Sequence, residues 1–265
     1  MDGYIAIGYG QLALSALLIL VNVGLSVGLR LGLERSLAIA SVRMVVQLLI
    51  IGFVLEWLFT QENPVLIIAI SLVMASVAGV AAVNRTRRRF PGIYCNSLLS
   101  VLVSSSLVTG LSVRGIIQVQ PWSDPQYLIP LLGMVLGNTL TGISLGLDRF
   151  MEGVTTQRDQ IETLLTLGAT RWEAAHTQVQ EAIRTGMIPT LNSMMVMGLV
   201  SLPGMMTGQI LAGATPIDAV RYQIVIVFMI ASGAALGTFG VVLLAFRRLL
   251  SPDHQLRLDR LRPEK

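Results

Sequence analysis

Four residues of one apolar stretch, Met194, Met197, Ser201 and Met205, recur at spacings of three, four and four, which places them on one face if a single helix runs through them. Thioether sulfur is a soft ligand that suits Cu(I) better than iron, and Fe(II) asks for oxygen or imidazole donors as well. Met206, Gln209 and Asn192 stand beside this stripe and supply a further sulfur and two amide oxygens. The same methionines are equally apt as adaptable packing residues, and the amides as hydrogen-bonding glue between helices. Pro203 and Gly204 interrupt the stretch, with Gly208 and Gly213 beyond them. Proline removes a backbone donor and clashes with the carbonyl four residues earlier, here that of Leu199, so the helix is expected to kink or unwind at this point and free backbone carbonyls. The segment from Ser201 to Gln209 should then face a dimer seam or a wet cavity rather than lipid. A break of this kind can offer carbonyl oxygen to a cation.

Other polar residues in apolar surroundings are weighed in the same way. Arg43 lies six positions into its run and Gln47 one turn deeper. Arg43 either snorkels to the membrane surface or joins Gln47 in lining a cavity for an anionic group. Asn138, Thr139 and Thr141 follow Gly133 and Gly137, a pattern that serves either close helix packing or a transport pathway. The single cysteine, Cys95, leaves no internal disulfide, and with only His176 and His254 a zinc site of the usual ligand sets is improbable. The string GISLG at Gly142 to Gly146 fits G-x-S-x-G, yet neither histidine falls in the apolar run that carries the serine, so hydrolase chemistry is set aside. The one lysine is Lys265, which leaves no room for the phosphate-binding loop GxxxxGK[ST]. Any work driven by ATP therefore requires the nucleotide on a partner chain, and no cofactor is expected on this one.

The elements that must hold these residues follow from composition. Of 265 residues 53% are hydrophobic and 13% charged, with a mean hydropathy of +0.71, against about 25% charged in a soluble domain. This describes an all-α, polytopic membrane protein forming one membrane domain over residues 1–265. Apolar runs predict seven spans, near 4–29, 37–59, 65–83, 94–113, 127–147, 188–211 and 217–246. The first run lacks a basic leader and reads as a retained span. Sixteen of the 19 basic residues fall in alternate connections and the tail. The positive-inside rule then places those segments in the cytoplasm, the N-terminus outside and the C-terminus inside. The net charge of +4 is thereby a topology signal, and no nucleic-acid partner is expected.

The long connection 148–187 is amphipathic. Val154, Ile161, Leu164, Leu165 and Leu167 suit an apolar helix face, Gly168 stops that helix, and Thr170 with Glu173 forms a capping box that starts another. A hairpin lying on the membrane surface is expected, and its length suggests a docking element for a cytoplasmic partner.

The string ETLLTLGATRWEAA, Glu162 to Ala175, resembles the cytoplasmic coupling loop of ABC-transporter permeases, where an acidic residue precedes a glycine by six positions. Met187 to Gly213, MIPTLNSMMVMGLVSLPGMMTGQILAG, is similar to the signature of the FetB family of iron-export permeases and their plant aluminium-sensitivity and aluminium-resistance relatives. The likeness extends to PLLGMVLGN at Pro130 to Asn138 and to the stretch around Val220 to Gln223. It implies a homodimeric permease subunit in the cytoplasmic membrane, with a separate cytoplasmic ATPase docked at Glu162, Gly168, Ala169, Thr170, Arg171, Trp172 and Glu173. It also implies a metal ion substrate, most readily iron. The family equally admits a small organic solute such as a nucleotide sugar, and a membrane scaffold that moves nothing is the alternative from another class. The candidate pathway residues are Arg43, Gln47, Asn138, Asn192, Ser201, Pro203, Gly204 and Gln209, and the candidate metal ligands are Met194, Met197, Met205 and Met206.

Overall fold

Three helices begin with the same short device, a side-chain cap followed by proline. Asn63 accepts from Val65 N–H at 3.0 Å ahead of α3 (Pro64–Asn84), and Asp124 accepts from Gln126 N–H at 2.9 Å ahead of α5 (Pro125–Thr156). Thr215 accepts from Asp218 N–H at 3.3 Å ahead of α9 (Pro216–Leu249). The cap satisfies an orphan backbone donor, and proline at the first helical position removes another that would be orphaned anyway. The computed structural model describes residues 8–61 and 63–263. Tyr4 to Ile7, the head of the first expected span, and Lys265 lie outside the described residues.

The remaining helices are α1 (Tyr9–Gly28), α2 (Glu34–Phe59), α4 (Ile93–Leu111), α6 (Arg158–Thr166), α7 (Arg171–Val196) and α8 (Gly204–Leu211). Among the described residues six helices, α1 to α5 and α9, are long and apolar enough to cross a membrane. The expected sixth span, 188–211, is not one helix: it is the end of α7, a non-helical segment and α8. The chain divides into two units, one comprising residues up to Glu62 with Leu211–Ala214, the other Asn63–Ile210 with the chain from Thr215 onward.

In the first unit, α1 and α2 are joined by a turn that Ser26 closes. Its hydroxyl donates to Glu34 Oε2 at 2.8 Å and accepts from Leu33 N–H at 3.0 Å. Most of the large apolar side chains of both helices are exposed, as a lipid-facing surface requires.

In the second unit α5 is the axis. Ile143, Leu147, Phe150, Met151 and Val154 on α5 pack with Ala175, Val179 and Ala182 on α7 and with Val241, Val242, Ala245 and Leu249 on α9, and all are at least 98% buried. Backbones approach closely at two glycines. A Cβ on Gly186 of α7 would stand 2.6 Å from the Gly142 carbonyl of α5, and one on Gly142 would stand 2.6 Å from Thr238 Oγ1 of α9. The glycines of GISLG are thus contact points of three helices. Gly137, by contrast, has open space where its Cβ would be, so the close packing falls a turn later than its sequence pattern suggests.

At 1.5 Å per residue, α5 with 32 residues and α9 with 34 are about 48 and 51 Å long, against a hydrocarbon core of about 30 Å. Both therefore project well beyond it. This corrects the expected surface hairpin: residues 148–156 continue α5, α6 packs Ile161 into the core, and α7 runs unbroken from Arg171 to Val196. Burial against α5 and α9 replaces burial in the membrane surface. Only Leu167 keeps the expected exposure, at 79%.

One end of this unit gathers the arginines. Arg87 N–H donates to Asp148 Oδ1 at 3.0 Å, and β1 (Arg88–Arg89) pairs antiparallel with β2 (Arg262–Pro263) of the tail. Three segments expected on a common side by their charge are thereby brought to one end.

Candidate functional site

Two arrangements stand out along α7, one at each end. At its start, α6 closes in a Schellman motif: Gly168 adopts φ +91°, its N–H donates to the Leu165 carbonyl at 3.1 Å, and Ala169 N–H donates to the Leu164 carbonyl at 3.0 Å. Two residues later the capping box forms as its spacing suggests. Glu173 N–H donates to Thr170 Oγ1 at 3.3 Å, and Thr170 N–H and hydroxyl donate to Glu173 Oε2 at 2.8 and 2.7 Å. These bonds hold the Glu173 carboxyl below its ordinary range, the Thr170 hydroxyl foremost and the Thr170 backbone N–H next. Glu162 faces the neighbouring turn of its own helix, accepting from Arg158 Nε at 2.8 Å.

The turn is fixed from the side by the tail. Arg171 N–H donates to His254 Nδ1 at 2.9 Å, and its guanidinium donates to the Leu250 carbonyl at 3.3 Å and lies over the Phe246 ring. Trp172 packs edge-on against His176 and Phe246, with ring centroids 5.1 and 5.5 Å away. Yet Trp172 remains 44% exposed, and Leu167 is exposed as well. The result is a rigid turn presenting two large apolar side chains outward. Sequence reasoning located the Gly168 turn and the Thr170–Glu173 capping box but missed Phe246, Leu250 and His254, whose approach depends on the return of the tail.

At the other end of α7, the helix stops at Val196. Gly198 takes φ +83°, and the Val196 carbonyl accepts from the N–H groups of Leu199, Val200 and Ser201 at 3.3, 3.0 and 3.4 Å, while Gly198 N–H donates to the Ser201 carbonyl at 2.9 Å. The break is therefore real, but its cause differs from the expected clash of Pro203 with Leu199. Gly198 ends the helix in a left-handed turn, and Pro203 precedes α8 with its carbonyl accepting from Thr207 N–H at 3.0 Å. A proline there sacrifices no helical bond, whereas Pro189 sits inside α7 without breaking it. Gly204 and Gly208 lie within α8.

The loss of the continuous helix removes the expected single-faced stripe, yet three of its four residues meet again. Met194, Met197 and Met205 line one cavity of about 210 Å³ together with Met134, Asn138, Thr190, Pro203, Gly204 and Gln223. A second cavity of about 510 Å³ shares Met194, Met197, Pro203 and Gln223 and adds Met206. Gln223 is 7% exposed and its Oε1 has no hydrogen-bond partner among the described residues. Asn138 lines the smaller cavity while its Nδ2 donates to the Met134 carbonyl at 2.9 Å. Ser201 is exposed in the turn, Asn192 is exposed on α7, and Gln209 is half-buried on α8; none of the three lines either cavity. Arg43 and Gln47 stand one turn apart on α2, both exposed. Met134 and Gln223 were missed because they come from α5 and α9, which only the tertiary fold brings to α7.

A further polar feature was legible but unread. Ser97, Ser100, Ser104, Ser105 and Thr109 recur at helical spacing on α4 and are all buried. Ser97 donates to the Gly79 carbonyl at 2.8 Å and so joins α4 to α3, whereas Ser104 donates back to the Ser100 carbonyl of its own helix at 2.6 Å, and Ser104 and Ser100 meet α9 at Gly237 and Gly240.

Long apolar helices around small-residue contacts define a multi-pass, all-helical membrane protein. The chain belongs to the uncharacterised protein family UPF0014, whose model matches residues 9–250. It is 39% identical over 226 residues to the UPF0014 membrane protein slr1647 of Synechocystis sp., covering 85% of this chain and 87% of that one. It is 36% identical over 245 residues to the protein ALUMINUM SENSITIVE 3 of Arabidopsis thaliana, covering 92% and 88%. Against the probable iron export permease protein FetB of Escherichia coli the identity is 32% over 253 residues, covering 95% and 96%. No solved structure matches the chain.

Proposed function

We propose that this chain is the membrane-spanning subunit of an ATP-driven exporter, working as a homodimer with a separate ATPase. The arginine-rich end faces the cytoplasm of the cell's inner membrane, the N-terminus lies outside, and the ATPase docks on the turn from Leu167 to Glu173. The substrate passes the methionine-lined cavities at the far end of α7 by alternating access. Likeness to a probable iron export permease favours a metal ion as substrate. The observation that carries this reading is the continuity of α7: one helix of 26 residues starts in the exposed, doubly capped turn and ends at the cavity. That helix, with Pro189 inside it, is a continuous element on which both ends could act.

Co-purification with a stand-alone ABC-type ATPase from the same organism tests it. The wild type should retain the partner and stimulate its hydrolysis, whereas Gly168→Val should insert in the membrane and lose the partner. Undiminished co-purification of that variant would overturn the docking assignment.

A further inference from the structure

The smaller cavity gathers its sulfurs in a way that packing along one helix does not require. Met134 comes from α5, Met194 from the last turn of α7, Met197 from the residue that ends it and Met205 from the first turn of α8. Methionines from three helices thus line about 210 Å³ of space, beside Ile226, Val227 and Ile230. An apolar site could use leucine at each position, with better-defined rotamers. Gln223 adds what an apolar site would avoid, a buried amide oxygen without a hydrogen-bond partner among the described residues.

We infer that this cavity is a binding site for a soft, monovalent d10 metal ion, Cu(I) or its chemical stand-in Ag(I), held by the thioethers of Met194, Met197, Met205 and Met134 with Gln223 Oε1 beside them. The donor set selects for softness: thioethers suit Cu(I), while Fe(II) and Zn(II) ask for imidazole, thiolate or carboxylate. Among the described residues no three His, Cys, Asp or Glu side chains converge to hold a metal ion. The site also selects for low charge. Desolvation cost rises with the square of the charge, and neutral thioethers return none of it as ion pairing. The last turn of α7 turns the negative end of its dipole to the cavity, but the first turn of α8 contributes the opposing positive end. Such a site accepts one positive charge more readily than two.

This inference rests on the permease reading only for the purpose of the site, and its test is independent of transport. Because the exposed thiol of Cys95 also binds silver, the full chain is purified as Cys95→Ser and titrated with Ag(I) alone. One ion per chain is expected to bind, displaced by Cu(I) and not by a tenfold excess of Fe(II) or Zn(II). Replacing Met194, Met197 and Met205 by leucine, which keeps volume and apolarity, should weaken silver binding at least a hundredfold with the helical circular dichroism unchanged. X-ray absorption at the silver edge needs no further variant and should show sulfur in the first shell. A first shell of oxygen and nitrogen only, or equal affinity in the folded leucine variant, would overturn the site. Recruitment of the ATPase without silver–sulfur binding sinks this inference and leaves the permease reading standing. Silver–sulfur binding in a chain that recruits no ATPase does the reverse.

Discussion

The turn before α7 and the turn after it both depend on a glycine with positive φ, Gly168 at +91° and Gly198 at +83°, yet they are built to opposite ends. The first is over-determined: a Schellman motif, a capping box, the His254 contact and the Arg171 guanidinium all fix it. The second is held by its own backbone, and beside it stand cavities and a buried amide oxygen with no partner among the described residues. Rigid construction suits a surface that must present the same face to a protein partner. An under-satisfied pocket beside a helix break suits a place where something binds or moves. One continuous helix joins the two.

The largest expected effect strikes the scaffold that both regions share. Gly186→Ala puts a Cβ 2.6 Å from the Gly142 backbone carbonyl, which cannot rotate away. The cost should reach about 1–3 kcal/mol and appear as a lower thermal midpoint in detergent. Gly137→Ala in the neighbouring stretch of α5 meets open space and should leave that midpoint unchanged or raise it.

Next come the two left-handed glycines, which separate the regions. Alanine at either site meets no neighbouring atom, so the expected penalty of about 1–2 kcal/mol is conformational. Gly168→Ala should weaken ATPase binding and spare silver binding, and Gly198→Ala should do the opposite. If both variants lose both activities, the regions are not distinct.

A smaller effect is expected from the capping box. The Glu173 carboxyl is held below its ordinary range, so its contribution is fully present above that range and is lost as the pH falls through the lowered value of the folded state. Amide protection at the start of α7, corrected for intrinsic exchange, should decline as the solution is acidified through that window. Glu173→Gln should remove the decline.

The smallest belongs to the pair of Arg149 with Glu181, 2.5 Å apart between α5 and α7 with side chains 38% and 42% exposed. Solvent screening limits such a pair to about 0–1 kcal/mol. Glu181→Gln should shift stability by no more than that, and the shift should shrink in high salt.

How much of this was readable from sequence depends on the range of the interaction. The capping box and the Gly168 turn are local, so Thr170, Glu173 and the glycine announce them within a few residues. The span boundaries follow from apolar runs, but α5 continues nine residues past the expected end at Leu147, because its next turns are buried by α7 and α9 instead of lipid. The break after Val196 falls at Gly198, whose left-handed conformation is a local glycine signal, and not at the more conspicuous Pro203. Met134, Gln223 and His254 carry no local signal. Their roles arise from contacts between elements distant in sequence, which hydrophobic periodicity does not specify.

In the proposed permease, α7 links partner docking to the cavity. Hydrogen exchange across the full chain, with and without the ATPase and a non-hydrolysable nucleotide, tests it directly. Residues 166–173 should become protected when the ATPase binds, and exchange across 197–208 should change in the same sample. Protection of 166–173 with unaltered exchange across 197–208 would show that α7 does not couple the two ends.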